Sequence, residues 1–314
     1  MPIPYMWSKW KSARHIFNVI NAFTKDRKEN LLVDLFTWWF AISEIFIKEW
    51  WQTINNDKNK YVMALLEQTL DWLSDVVFDW VSRKKFEDVI KNPWKYDDWY
   101  VWYIQCIWSF WNNQKNYLYW KDREEFKKQA DDLVVRKEVG NIIKKELPKK
   151  YIDWILKQDS LVKRRIALNK VWKFLLKRWN NLYRQNELER LQNLERLQRL
   201  QNLERLQRLQ RLQKDNIKKI IKWKSYEEIE IPKDAIVYCD PPYKWTATYS
   251  EWWFNHDEFW EYIRILSKTN KVFISEYTAP NDFKAIYEFS QKSCLQWWSQ
   301  SHNNQPNEKL FILK

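Results

Sequence analysis

Apolar residues gather in a few short runs along the chain, and three of these runs define its architecture. Residues 31–43, Leu-Leu-Val-Asp-Leu-Phe-Thr-Trp-Trp-Phe-Ala-Ile-Ser, read as a hydrophobic strand that passes through a tight turn into a helix. Thr-Ile-Asn-Asn-Asp at 53–57 reads as the end of a second strand, closed by a carboxylate 23 residues beyond Asp34. Residues 236–239, Ile-Val-Tyr-Cys, form a third short strand that runs straight into Asp240-Pro241-Pro242-Tyr243. The most apolar stretch, 31–47, is interrupted by Asp34 and Glu44, and is expected to be core strand and helix rather than a membrane span.

A different periodicity governs 187–213. From Leu188 to Leu212 a leucine recurs at every third position, nine in all, among Glu, Arg, Gln and Asn. These are mostly strong helix formers, with no Gly or Pro, so a helix of about 40 Å is expected. A three-residue step turns an ideal helix by about 300°, so the leucine stripe winds around the helix by about 60° per step. It cannot form the straight seam of a leucine zipper, whose apolar period averages 3.5.

Composition changes how the turns are read. The chain holds one glycine, Gly140, and 24 tryptophans. Ordinary usage over this length is about 22 glycines and about 3 tryptophans, so the surplus of one nearly equals the deficit of the other. Adjacent tryptophans stand at 38–39, 50–51, 252–253 and 297–298, in polar or turn-like surroundings where paired glycines would be ordinary. Backbone that needs positive φ, or that must approach a ligand closely, favours glycine. Many of these positions therefore read as glycine slots written as tryptophan, as happens when UGA codons are read in the wrong genetic code. Trp108 and Trp260 lie in apolar patterns and read as genuine tryptophans.

Asp240-Pro241-Pro242-Tyr243 carries a specific chemistry. The Asp240 carboxylate and the Pro241 carbonyl can each accept one N–H of an exocyclic amine. The prolines donate no backbone N–H and fix φ, which stiffens the turn. Tyr243 offers a flat face on which a base can stack. Restoring glycine at 38 and 39 turns the first strand's turn into Asp-Leu-Phe-Thr-Gly-Gly-Phe, a turn that lets a nucleoside cofactor lie against the backbone. An acid in the place of Asp57 commonly bonds ribose hydroxyls.

In these features the chain resembles the Dam-type DNA adenine methyltransferases of the alpha arrangement, in which the cofactor motif comes first, target recognition lies in the middle and the catalytic tetrapeptide comes last. The matching stretches are 5–9 (Tyr-Met-Trp-Ser-Lys), 34–43, 56–66, 107–121, 236–276 and 308–311. The resemblance implies that Tyr5, Lys9, Asp34 and Asp57 line an S-adenosyl-L-methionine site. It implies that Asp240 stands between cofactor and target base, and that Asp240, Pro241, Pro242 and Tyr243 are catalytic. The implied substrate is double-stranded DNA, methylated at N6 of a flipped adenine within a specific site; GATC is the family's common choice. The chain departs from the pattern with tryptophan at the glycine slots 7, 38, 39, 245, 252 and 253. An indole at 38 or 39 would fill the space the cofactor needs.

Charge fits a nucleic-acid partner. The formal net charge is +13, and residues 144–222 hold 23 Lys or Arg against 8 Asp or Glu, a balance of +15 that leaves the rest at about −2. Such a block attracts the phosphate backbone with salt-sensitive, sequence-blind affinity. Cys106, Cys239 and Cys294, like His15, His256 and His302, are scattered. That scatter argues against a metal site, a disulfide framework and a Ser-His-Asp hydrolase. With no signal-peptide pattern, a monomeric cytoplasmic enzyme is expected, alone or paired with a restriction endonuclease. Tetrapeptides of this type also serve methyltransferases acting on RNA or on protein glutamine. If the tryptophans are real, an inactive DNA-binding relic is the remaining alternative.

The expected architecture is α/β: a Rossmann-like, mixed seven-stranded sheet with helices on both faces, built from residues 1–60 and 224–314. A mostly helical, basic target-recognition region over 61–223 is inserted between them.

Overall fold

A computed structural model of the protein describes residues 9–38, 40–71, 79–110, 113–180, 204, 206–207, 219–243, 254–289 and 307–314. The chain divides into two compact units, Met1–Trp72 with Leu209–Lys314, and Leu73–Arg208.

The first unit is built on a seven-stranded sheet. Its strands are β1 (Leu31–Asp34), β2 (Gln52–Asn56), β3 (Lys219–Lys222), β4 (Ile236–Cys239), β5 (Lys271–Glu276), β6 (Phe283–Glu288) and β7 (Lys309–Leu313). Their spatial order is β3-β2-β1-β4-β5-β7-β6. Pairing is parallel from β3 through β5, and β7 runs antiparallel to both β5 and β6. This is the mixed, Rossmann-like seven-stranded sheet that the resemblance implies.

Strands buried on both faces are apolar almost throughout rather than alternating, and β4 is buried at all four positions. Alternate residues still divide between two cores. Leu32, Ile236, Tyr238 and Phe273 pack with α1 (Trp10–Phe23) and α2 (Ala41–Lys48) through Ile16, Phe17, Ile42 and Phe46. Val33, Val237, Cys239, Val272 and Ile274 pack on the other face with Phe259, Trp260 and Ile263 of α10 (His256–Leu266). Asn55 and Asn56 at the end of β2 are also buried.

The first unit is larger than the segments 1–60 and 224–314 expected of it. It also holds α3 (Lys60–Asp71) and β3, which pairs in parallel with β2. The Ile-Ile pair of β3 is flanked by lysines on both sides, so its strand character is hidden inside the basic run.

In the second unit the described residues are mainly helical, with α4 (Arg83–Lys91), α5 (Asp98–Ile107), α6 (Glu124–Val135), α7 (Asn141–Glu146), α8 (Lys149–Leu156) and α9 (Leu161–Asn180). Ser82 caps α4 by accepting from the Lys85 N–H. An aromatic cluster joins the loop after α5 to the segment before α4: Trp80 stacks on Tyr119 at 5.4 Å and meets Trp108 edge-on at 5.0 Å. Trp108 is fully buried and donates its indole N–H to the Tyr103 hydroxyl. Most of the leucine repeat lies outside the described residues. Of its members, Leu206 is buried and Glu204 forms a two-point ion pair with Arg165 of α9.

The adjacent tryptophans 50 and 51 are physically unlike. Trp50 follows the C-cap of α2 with φ 65° and donates its N–H to the Ile47 carbonyl, while the Trp51 N–H reaches back to the Phe46 carbonyl. These are the two bonds of a Schellman motif, whose left-handed residue is usually glycine. Trp50 is 72% exposed. Trp51 is 1% exposed, packs edge-on to Phe46 at 4.9 Å and lies beneath the Arg27 guanidinium. A hydrophobic contact of this kind commonly accompanies the motif. Trp38, at another expected glycine slot, has φ 35°.

Opposite effects on stability are therefore expected at neighbouring positions. Trp50→Gly should stabilise the fold by about 1 kcal/mol, because the left-handed strain of an L-residue exceeds the small loss of burial. Trp51→Gly should destabilise it by about 3–5 kcal/mol or more, the range for emptying a buried tryptophan site. Urea unfolding of the two variants beside the parent checks the pair. A destabilising Trp50→Gly would show that position 50 is not a glycine slot.

Candidate active site

In a sheet of this order the strand order reverses between β1 and β4, and the crevice outside their carboxyl ends is where such sheets bind ligands. β1 and β4 lie side by side in parallel, with Asp34 opposite Tyr238. The Leu35 N–H extends the pairing to the Tyr238 carbonyl at 3.1 Å. Asp34 ends β1, Asp57 follows β2 directly, and Asp240 follows β4 directly. Three aspartates thus stand at the same edge of three neighbouring strands.

The turn after β1 is tied down by side chains. The Thr37 hydroxyl donates to the Asp34 carbonyl and accepts from the Asn56 N–H, both at 3.0 Å, and the Thr37 N–H donates to the Asn56 carbonyl. The Asn56 amide donates to the Leu35 and Lys224 carbonyls and accepts from the Lys224 N–H. Position 38 lies in this turn with its left-handed backbone, and Phe40, at the N-cap of α2, has φ 58°. The backbone conformation is the one glycine serves best.

Asp34 and Asp57 differ in how their oxygens are used. Asp57 accepts from the Asn59 N–H at 2.8 Å with one oxygen and from the Trp38 N–H at 3.1 Å with the other. Asp34 accepts from the Ser43 hydroxyl at Oδ2, 3.0 Å away, while its Oδ1 is buried without a hydrogen-bond partner among the described residues. Burial raises the Asp34 pKa to about 8, against the Ser43 hydrogen bond, with the Asp240 and Asp57 charges adding to the rise. Burial raises Asp57 to about 6, opposed by its two backbone donors.

Asp240 has a counter-charge. Lys9, from the residue preceding α1, places its ammonium 3.1 Å from Asp240 Oδ1 and also bonds the Tyr243 hydroxyl and the Glu308 carboxylate. The Tyr243 hydroxyl donates to Asp240 Oδ1 at 2.8 Å, and its ring meets Tyr277 edge-on at 5.0 Å. Burial raises the Asp240 pKa, although Lys9 pulls it down. Burial lowers the Lys9 pKa, but Asp240 and Glu308 outweigh it and the net direction is upward. The Tyr243 hydroxyl is pushed well above its ordinary value by burial and by the two carboxylates.

The structure thus brings together Lys9, Asp34, Asp57, Asp240 and Tyr243 from stretches remote in sequence, with Pro241 buried beside them in the chain and Pro242 half-buried. Tyr5 and Trp39 lie outside the described residues. Sequence reasoning matched Glu308 only as part of a terminal stretch and gave it no place in the site. It also passed over Ser43, whose hydroxyl is the bond donor to Asp34, and Ser275, whose hydroxyl pairs with that of Tyr238 at 2.9 Å. Among the described residues no group of His, Cys, Asp and Glu could hold a metal ion, and no helix is long and apolar enough to cross a membrane.

Asp34 has a measurable consequence. Its folded pKa lies above the unfolded value, so the folded state binds the extra proton and stability falls as pH rises from about 4 to about 8. The slope is about 1.4 kcal/mol per pH unit for one such group, with Asp57 contributing in the same sense up to about pH 6. Asp34→Asn should flatten the decline in melting temperature between pH 6 and pH 8 relative to the parent. An unchanged decline would show that Asp34 titrates normally.

Residues 5–303 match the model of the family described as D12 class N6 adenine-specific DNA methyltransferase. Comparison with curated proteins found no match. The family match takes in both units, and it spans Lys9, the ends of β1 and β2, and the tetrapeptide after β4. On that extent of agreement, the chain belongs to the D12 class N6 adenine-specific DNA methyltransferases and is an enzyme of DNA adenine methylation.

Proposed function

We propose that the protein methylates N6 of an adenine at a specific site in double-stranded DNA, with S-adenosylmethionine as methyl donor. The observation that carries this reading is the convergence of Asp34, Asp57 and the Asp240–Tyr243 turn on the crevice outside the carboxyl ends of β1 and β4. The donor set suits this cofactor. A buried Asp34 oxygen lacks a partner and can accept a donor from a bound group, and Asp57 stands where ribose hydroxyls are commonly bound. Asp34, Asp57 and Lys9 would hold the cofactor, with Tyr5 joining them. When bound, S-adenosylmethionine supplies an electrophilic methyl group on a sulfonium centre.

The chain's own residues supply position and charge. The adenine amine is occupied in base pairing, so the base must leave the stack to be reached. Tyr243 stacks on the flipped base. Asp240 and the Pro241 carbonyl accept the two amine N–H groups and aim the nitrogen lone pair. Orientation and complementary charge do most of the work. The nitrogen would attack through its lone pair as the methyl's bond to sulfur breaks and a neutral thioether leaves; the N–H proton is lost afterwards, so no strong base is required for attack. Asp240, whose pKa burial raises, then takes that proton. The basic stretch 144–222 holds the phosphate backbone, which makes binding salt-sensitive.

Methyl transfer from labelled S-adenosylmethionine tests the reading, with unmethylated DNA, RNA and protein as acceptors. The chain as written is compared with a version carrying glycine at 7, 38, 39, 245, 252 and 253. Incorporation into DNA is expected, with the glycine version the more active because position 38 has left-handed backbone. Transfer to RNA or protein alone would replace the substrate class, and transfer to none by either folded chain would leave a DNA-binding relic. In the active chain Asp240→Ala should cut turnover below about a tenth while DNA binding survives, as expected for loss of a contact made in the transition state. Retention of more than that would remove Asp240 from the mechanism.

A further inference from the structure

An ammonium group has three N–H donors, and in this protein all three of Lys9 are directed to acceptors within one half-buried cluster: Asp240, Glu308 and the Tyr243 hydroxyl. Asp240 Oδ1 in turn receives two donors, Lys9 and Tyr243. This is the carboxylate that the proposed reaction needs as an acceptor for the target amine. An incoming N–H at Oδ1 must therefore compete with donors already in place, and the adjacent ammonium charge also weakens Oδ2 as an acceptor. Both bonds are charge-assisted, and the stronger competitor is the ammonium because it alone brings a full positive charge to the carboxylate.

Glu308 changes that competition. It stands immediately before β7, the antiparallel strand beside β5, and its carboxylate binds the same ammonium. Two carboxylates share one cation, so Lys9 does not form an exclusive pair with Asp240. With both acids ionised and Lys9 charged, the three groups carry a net charge of −1. Without Glu308, Lys9 and Asp240 would neutralise each other, and a one-to-one buried ion pair gives up its partner at high cost.

We infer that Glu308 is a positioning residue that draws the Lys9 ammonium toward itself and keeps the Asp240 carboxylate available to the target amine. The role rests on the adenine-methylation reading above, and it makes Lys9 a tether between two acids rather than only a cofactor contact. It predicts that Glu308 matters through Lys9 and through turnover, not through the assembly of the site.

A double-mutant cycle in the active chain tests it. Glu308→Gln should lower kcat about tenfold or more, the equivalent of one charge-assisted contact, with KM for DNA and for S-adenosylmethionine little changed. In a Lys9→Gln background there is no ammonium to redirect, so K9Q/E308Q should match K9Q within about twofold. A parental kcat in E308Q would overturn the inference. So would an equal loss from E308Q in the presence and absence of Lys9, which is the mark of a merely structural role. If E308Q fails to fold, the comparison of K9Q/E308Q with K9Q still decides: equality supports the inference and a further fall overturns it. Failure of the parent to methylate DNA would instead sink the functional reading. In that case the 13Cε shift of Lys9, titrated in the parent and in E308Q, reports on Glu308 alone, with a lower Lys9 pKa in E308Q supporting the shared-cation arrangement and an unchanged one overturning it.

Discussion

The site depends on one electrostatic constraint: carboxylates must be held out of water where the strand ends of a parallel sheet converge. All three have raised pKa values, but Asp34 and Asp57 are held by neutral donors, whereas Asp240 also has a lysine. The two solutions suit different tasks. An acid kept by hydroxyl and amide donors binds or releases a proton readily when a cationic or hydrogen-bonding group arrives. An acid paired with an ammonium has its charge countered but must be freed before it can act. The sheet supplies the frame for both, because β1, β2 and β4 end at the same edge and Thr37 and Asn56 lock the turn between them.

Much of this was legible in the sequence. Leu31–Asp34 and Ile236–Cys239 are apolar over their whole length, as central parallel strands must be, and each runs directly into an acid. The resemblance implied one site for Asp34, Asp57 and Asp240, and the three stand at one edge of neighbouring strands. β3 was not legible, because two isoleucines between lysines resemble the rest of a basic helical stretch. Glu308 was not legible either. An acid before an apolar strand is ordinary, and only the antiparallel placement of β7 beside β5 carries it to Lys9. Interactions set by topology leave no local mark in composition or periodicity.

Tryptophan content became interpretable only when backbone angles were available. Composition treats Trp50 and Trp51 as one pair of doubtful residues. The fold separates them: one sits at the left-handed exit of α2 with its side chain in solvent, and the next plugs the core between Phe17 and Phe46. Trp108 and Trp260 are likewise buried among rings, at positions that an apolar pattern already singled out. The surplus is thus a mixture, and conformation sorts its members one by one.

The Lys9–Glu308 contact joins residues 299 positions apart, yet both belong to the same unit, and the second unit is an excursion from it between Trp72 and Leu209. A loop that leaves and re-enters one folded body adds closure entropy only logarithmically, about 0.6 kcal/mol for each doubling of its length. Most of the leucine repeat, through Arg208, lies within that excursion. Gain or loss of repeat units therefore changes the length of the detour without moving either end of the contact.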